Sequence, residues 1–212
     1  MHPIRTAYLT AARSAAALLA DPAVAARWDA PSALAEFRVG GLAGHLAFQV
    51  LAVPAVLAEP VPPGEPIGLL DHYARGTWIG AAVDDEVNVG IRSSGERVAA
   101  DGPDALRAAV DPTVDRLAAA LPAEPAGRVV HLARGPWSLA LDDYLTTRLM
   151  ELAVHSDDLA VSVGVPTPEL PAEVLDPVFA LLTRLAVRRH GQPAVLRALS
   201  RAERAPASVT AF

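Results

Sequence analysis

Three observations predict an all-α fold, an antiparallel four-helix bundle with extra C-terminal helices. The 212 residues include 44 alanines and only 5% aromatics, so much of the 52% apolar fraction is a residue that favours helix and is depleted in strands. Apolar residues recur at steps of three and four along several stretches. Pro and Gly clusters separate those stretches. The length suffices for a large core, and one domain is expected over 1–212, with the core helices within 1–165 and a short helical extension over 166–212.

The elements follow in order. Ile4, Tyr8, Ala11, Ala12, Ala15, Leu18 and Leu19 form the apolar face of a first helix that ends at Asp21-Pro22. Asp29-Ala30-Pro31-Ser32 is a turn, and a second helix spans Val39–Leu57, closed by Pro60-Val61-Pro62-Pro63-Gly64. Leu69–Ala99 reads as one long third helix, weakened by Gly76, Gly80 and Gly90. Asp101-Gly102-Pro103-Asp104 starts a helix over Ala105–Leu121. Arg128–Leu132 reads as a short strand or an extended connector, with a turn at Gly135-Pro136. Leu141–Val163 carries the clearest helical pattern and is stopped by Gly164 and Pro166. A further helix runs from Leu170-Pro171-Ala172-Glu173 to His190, followed by a short one over Pro193–Ser200.

Charge and composition remove several function classes. Eighteen basic residues, all Arg, stand against 24 acidic ones, a net charge of −6 with no basic cluster. Nucleic acid and anionic membrane surfaces are therefore disfavoured as partners. The longest apolar run, near Leu42–Leu57, carries His45, Gln49 and Pro54, so no transmembrane segment is expected. The N-terminus lacks the order of a signal peptide, and a cytoplasmic protein is expected. With no cysteine, thiol chemistry would need a thiol from outside the chain.

The helix over 141–163 is apolar around most of its circumference, yet Tyr144, Arg148, Glu151, His155, Asp158 and Ser162 form a continuous polar line along it. Two readings fit. The line is a solvated face, or it faces a polar pocket within the bundle, where Glu151 and His155, four apart, offer a carboxylate and an imidazole to a divalent cation. A third ligand would come from another helix, and His45, with Gln49 one turn on, lies in the apolar second helix. A histidine there is either a hydrogen-bonded core residue or a ligand. His2, His72, His131 and His190 sit at the terminus or near segment ends and receive no role.

Two stretches resemble a known family. Glu36–Ala47, Glu-Phe-Arg-Val-Gly-Gly-Leu-Ala-Gly-His-Leu-Ala, is similar to the second-helix motif of the mycothiol-dependent maleylpyruvate isomerase metal-binding domain, of the DinB-like superfamily. Tyr144–Leu159 resembles its fourth-helix motif, in which Glu, three residues, His and a following Asp-Leu recur. Leu196–Ser200 looks like the short helix that often closes these bundles. The resemblance implies a DinB-like bundle in which His45, Glu151 and His155 hold a divalent cation, zinc being the expected metal. Three protein ligands leave coordination positions open, as in catalytic rather than structural sites.

The resemblance further implies a metal-dependent enzyme that takes mycothiol as cofactor or co-substrate and acts on an electrophilic small molecule as a transferase or isomerase. About fifty residues follow the fourth helix, fewer than the further domain of the isomerase needs, so the reaction stays open between the two. The alternative is a non-catalytic metal- or ligand-binding bundle, and pairing of two copies through Ala-rich faces fits either. Asp158 is a candidate to orient a ligand imidazole, or else an ion-pair partner. Arg148 pairs with Glu151 by default, or holds a substrate carboxylate. Arg92 is a candidate anion binder, and Asp85-Glu86 read as a solvated face.

Overall fold

Four helices close a ring around the core, and their ends can be placed by single contacts. In the computed structural model, which describes residues 2–132 and 135–212, these are α1 (Pro3–Leu19), α3 (Val39–Leu51), α7 (Pro103–Ala120) and α8 (Leu141–Val163). The Arg5 side chain bonds Asp142 and the Leu121 carbonyl, so the starts of α1 and α8 meet the end of α7. Leu19 and Asp21, at the far end of α1, share a cleft with Pro103 and Arg107 at the start of α7. His45 faces Glu151, and further along α3 Gln49 meets Arg148. Hence α1 and α8 run one way and α3 and α7 the other, so in this DinB-like bundle the neighbours α1/α8 and α3/α7 are parallel while α3/α8 and α1/α7 are antiparallel, not the antiparallel ring expected throughout.

The fully buried side chains include Tyr8 on α1, a position its helical spacing nominates, with Leu42 and Leu46 on α3, Leu117 on α7, and Leu145, Leu149, Leu152 and Leu159 on α8. A left-handed Gly164 ends α8, which has Asp142 and Asp143 in its first turn. Outside the ring, α9 (Ala172–His190) packs on α1 and α8, and α10 (Gln192–Ser200) packs on α9.

Several boundaries differ from expectation. Asp21-Pro22 starts a short helix, α2 (Pro22–Ala26), because the Asp21 side chain accepts from the Ala23 N–H and proline fits the first helical turn. The second predicted helix is two, α3 and then α4 (Val53–Ala58), with Pro54 in the first turn of α4. Together Val39–Ala58 has 20 residues and a mean hydropathy of 1.7, so by length and composition it reaches what a membrane span needs, contrary to expectation. Half of it is buried inside the bundle. Arg128–Leu132 contains β1 (Val129–His131), paired antiparallel with β2 (Ser138–Ala140), which leads straight into α8.

The long third helix does not form. Leu69–Ala99 is α5 (Leu69–Ala74), a loop, and α6 (Glu86–Val98), and the third helix of the ring is α7 instead. Helix α5 ends at Ala74, and Gly80 in the loop after it has φ +79°, a left-handed conformation outside the helical range. Asp85-Glu86 are exposed, as expected.

Helix α6 lies against the outside of α3 where Gly41 and Gly44 face Gly95. A Cβ on Gly44 would sit 2.1 Å from the Gly95 carbonyl oxygen, and one on Gly95 would sit 2.4 Å from that of Gly41. Backbone meets backbone, so no rotamer change relieves the clash. Gly44→Ala should therefore destabilise the protein by about 1–3 kcal/mol despite alanine's better helix propensity. The check is the urea midpoint, and an unchanged midpoint would mean that α6 can shift without cost.

Candidate metal centre

Helix α8 presents Glu151 and His155 one turn apart, and α3 brings His45 opposite them. Glu151 Oε2 lies 3.0 Å from His155 Nε2 and 3.6 Å from His45 Nε2, and the two imidazole rings meet edge-on at 4.7 Å. One ligand atom from each residue can be chosen so that all lie within 4.8 Å of one another. Ligand atoms of a tetrahedral zinc site, with bonds of about 2.0–2.1 Å, are about 3.3 Å apart, so small movements of three side chains would suffice. The donors, two imidazoles and one carboxylate, suit such a cation. Their side chains are 15–17% exposed, buried enough for electrostatics to be strong yet open on one side.

The polar line of α8 is thus not a solvated face. Tyr144 is buried, and Arg148, Glu151, His155, Asp158 and Ser162 are all partly covered. Ser162 Oγ donates to the Asp158 carbonyl and accepts from the Ala33 N–H, which holds the loop before α3 against α8. Within that loop Glu36 has φ +63°, a left-handed residue that is not glycine. Phe37, next to it, packs its ring 6.0 Å from His45.

Protonation differs across the three groups. Burial pushes the His45 imidazole below its ordinary range, so it is neutral at pH 7. Burial alone would raise Glu151, but the hydrogen bond with His155 and the nearby His45 imidazole outweigh it and hold the carboxyl well below its usual value. Burial likewise opposes charge on His155, yet Asp158 at 2.9 Å from Nδ1 and Glu151 at Nε2 prevail and raise its pKa to about 9. Without a cation, a proton on His155 sits between carboxylates at Glu151 and Asp158. Two of the three donors are already in ligand form.

Asp158 therefore stands where the orienting role requires, on the ring nitrogen of His155 that faces away from Glu151. Arg148 does not make its default ion pair. Its guanidinium bonds Gln49 Oε1 and Thr147 Oγ1 and lies 5.5 Å from the centre of the Tyr144 ring. Among the described residues no carboxylate comes within ion-pair distance of it. Gln49, almost fully buried, bonds the His45 carbonyl through Nε2, and its own carbonyl accepts from the Tyr8 hydroxyl. Arg92 is elsewhere employed: it donates to the Val83 carbonyl at the mouth of the α5–α6 loop, and no hydrogen bond or ion pair joins it to the three donors.

Two neighbours were not singled out from sequence. His72 on α5 is half buried, not exposed, and its Nδ1 accepts from Trp137 Nε1 at 3.1 Å. Burial and the Arg148 charge keep it neutral. Tyr73 beside it is buried, and the Glu151 and Arg148 charges both act on its ionisation. The periodicity of a six-residue helix carries too little signal to have found them.

A family profile described as the mycothiol maleylpyruvate isomerase N-terminal domain matches residues 8–160, from the first turns of α1 nearly to the end of α8. The match contains all three donors and both motifs. No curated protein and no solved structure gives a significant match.

Proposed function

The chain belongs to the mycothiol maleylpyruvate isomerase N-terminal domain family, and from that footing we propose that it is a divalent-metal-dependent enzyme that uses a low-molecular-weight thiol, mycothiol, in S-transfer or isomerisation of an electrophilic small molecule. The observation that carries the reading is the convergence of His45, Glu151 and His155 from two helices onto one partly open point. Zinc suits the mixed nitrogen and oxygen donors. When bound, the cation supplies Lewis acidity and holds an incoming thiol as its thiolate near neutral pH, which a chain without cysteine does not provide for itself.

The chain's own residues set the rest. His45 and Glu151 are in their ligand forms at pH 7. Asp158 keeps hold of the His155 Nδ1 proton and so commits Nε2 to the centre. Arg148, fixed by Gln49 and Thr147 without a carboxylate partner, keeps a cationic face for an anionic group of the electrophile, such as a carboxylate. The apolar walls of α3 and α8 restrict water around these groups. A cytoplasmic setting, where small thiols stay reduced, fits this role.

The test uses the protein loaded with cobalt(II), whose spectrum reports its ligands. Adding mycothiol should produce a thiolate-to-cobalt charge-transfer band that saturates at one thiol per metal. A spectrum unchanged at millimolar thiol, with cobalt bound, would remove the thiol from the proposal. Failure to bind cobalt or zinc at all would remove the enzyme with it.

A further inference from the structure

Of the ten Phe, Trp and Tyr residues in the chain, three meet in one cluster, and one of them comes from the segment that follows α10. The Phe212 ring lies 4.8 Å from Trp78 and 6.0 Å from Tyr73, and the latter two are 6.4 Å apart and nearly perpendicular. Trp137 extends the wall through His72. Burial opposes ionisation of the Tyr73 phenol, and the Glu151 and Arg148 charges also bear on it, so the aromatic cluster lies within electrostatic reach of the candidate centre.

The segment that delivers Phe212 has no helix or strand after Arg204. Among the described residues, no backbone–backbone hydrogen bond ties 206–212 to the rest of the chain. Its polar anchor is the His190 Nε2–H, which donates to the Thr210 carbonyl at 2.8 Å. Tyr73, in contrast, is built in: it belongs to α5, whose Leu70 carbonyl is held by Arg188 of α9, and the Ile67 N–H before α5 donates to the Ser138 carbonyl of β2, while Trp78 lies in the loop that follows α5. A flat apolar ring on a lightly tethered segment thus packs against Tyr73 and Trp78, which themselves meet nearly edge-on.

We propose that the place Phe212 occupies against Tyr73 and Trp78 is a binding slot for an aryl or similarly flat apolar group of the electrophile, and that Phe212 fills the slot until such a ligand displaces it. The word electrophile rests on the function proposed above; the slot itself does not. Displacement exchanges one aromatic contact for another, so the tail weakens binding only by the fraction of time it occupies the slot.

The test is calorimetric titration with naphthalene-2-sulfonate, whose sulfonate also offers Arg148 an anion. Phe212→Ala should bind this probe about tenfold more tightly than the unsubstituted chain, as expected if the tail fills the slot roughly nine-tenths of the time. Adding Trp78→Ala to that variant should remove the gain. Affinity unchanged or weakened by Phe212→Ala, or a gain that survives Trp78→Ala, overturns the slot. Metal content of the same samples is read separately: absence of metal from all of them overturns the metal-enzyme reading while the slot stands or falls on its own affinities.

Discussion

His155→Ala is expected to take zinc content from about one equivalent per chain to background after dialysis, with the fold retained. His155 contributes Nε2 beside the Glu151 oxygen, and its loss leaves two donors on different helices, too few to compete with water. Asp158→Asn should be milder, a loss of about 10–100-fold in affinity, because the imidazole stays but is less firmly oriented and less basic. Elemental analysis and competition with a chelator measure both. Full zinc retention by His155→Ala would place the metal elsewhere.

The same residue sets a pH dependence. Because the His155 pKa is raised to about 9, a cation must displace its Nε2 proton throughout the neutral range. Zinc affinity should therefore rise with pH, by up to about tenfold per unit, and level off near pH 9. The metal-free protein should behave in the opposite sense. A folded-state pKa above the unfolded value of 6.5 contributes stability that is complete below pH 6.5 and lost as pH rises through about 9. Thermal unfolding with chelator present should show that fall, and His155→Ala should abolish it.

The largest stability effect is expected at Arg5. Its side chain is 3% exposed and bonds Asp142 at 2.9 Å, the Leu121 and Glu124 carbonyls at 3.0 and 2.6 Å, and the Pro125 carbonyl at 2.8 Å. Those carbonyls sit where α7 ends, so one guanidinium caps that helix and joins it to the starts of α1 and α8. Arg5→Ala would strand several acceptors and a carboxylate, a loss of about 3–5 kcal/mol and, at this size, about 10 °C in Tm. Arg5→Lys should recover little, since an ammonium does not span four acceptors in a fork. A Tm within about 2 °C of the unsubstituted protein would show that water replaces the fork.

How much of this was legible in the sequence depended on whether the signal was local. Leu141–Val163 was readable to the residue because periodicity runs unbroken to a stop at Gly164. Leu69–Ala99 is not legible because its apolar spacing continues past Ala74, where α5 ends, and across the left-handed Gly80 in the loop. The three-residue strand β2 was too short to register. At the site, Glu151 and His155 announced themselves by spacing, whereas pairing His45 with them needs the register of α3 against α8, which came through family resemblance. Arg5 and His72 act through carbonyls and an indole distant in sequence, and nothing near them marks such partners.

The donors' distribution along the chain has a mechanical consequence. His45 and Glu151 are about a hundred residues apart, and the chain has no cysteine to make a covalent staple. An ion gripping both would act as a cross-link, closing one large loop that takes in everything from α3 to α8. Unlike a disulfide, the ion leaves the unfolded chain, so it would stabilise the fold through its binding free energy, about 2.7 kcal/mol at a free concentration one hundred times the dissociation constant. Chelation would then remove that contribution and leave α3 and α8 held by packing and by the hydrogen bond from Arg148 to Gln49.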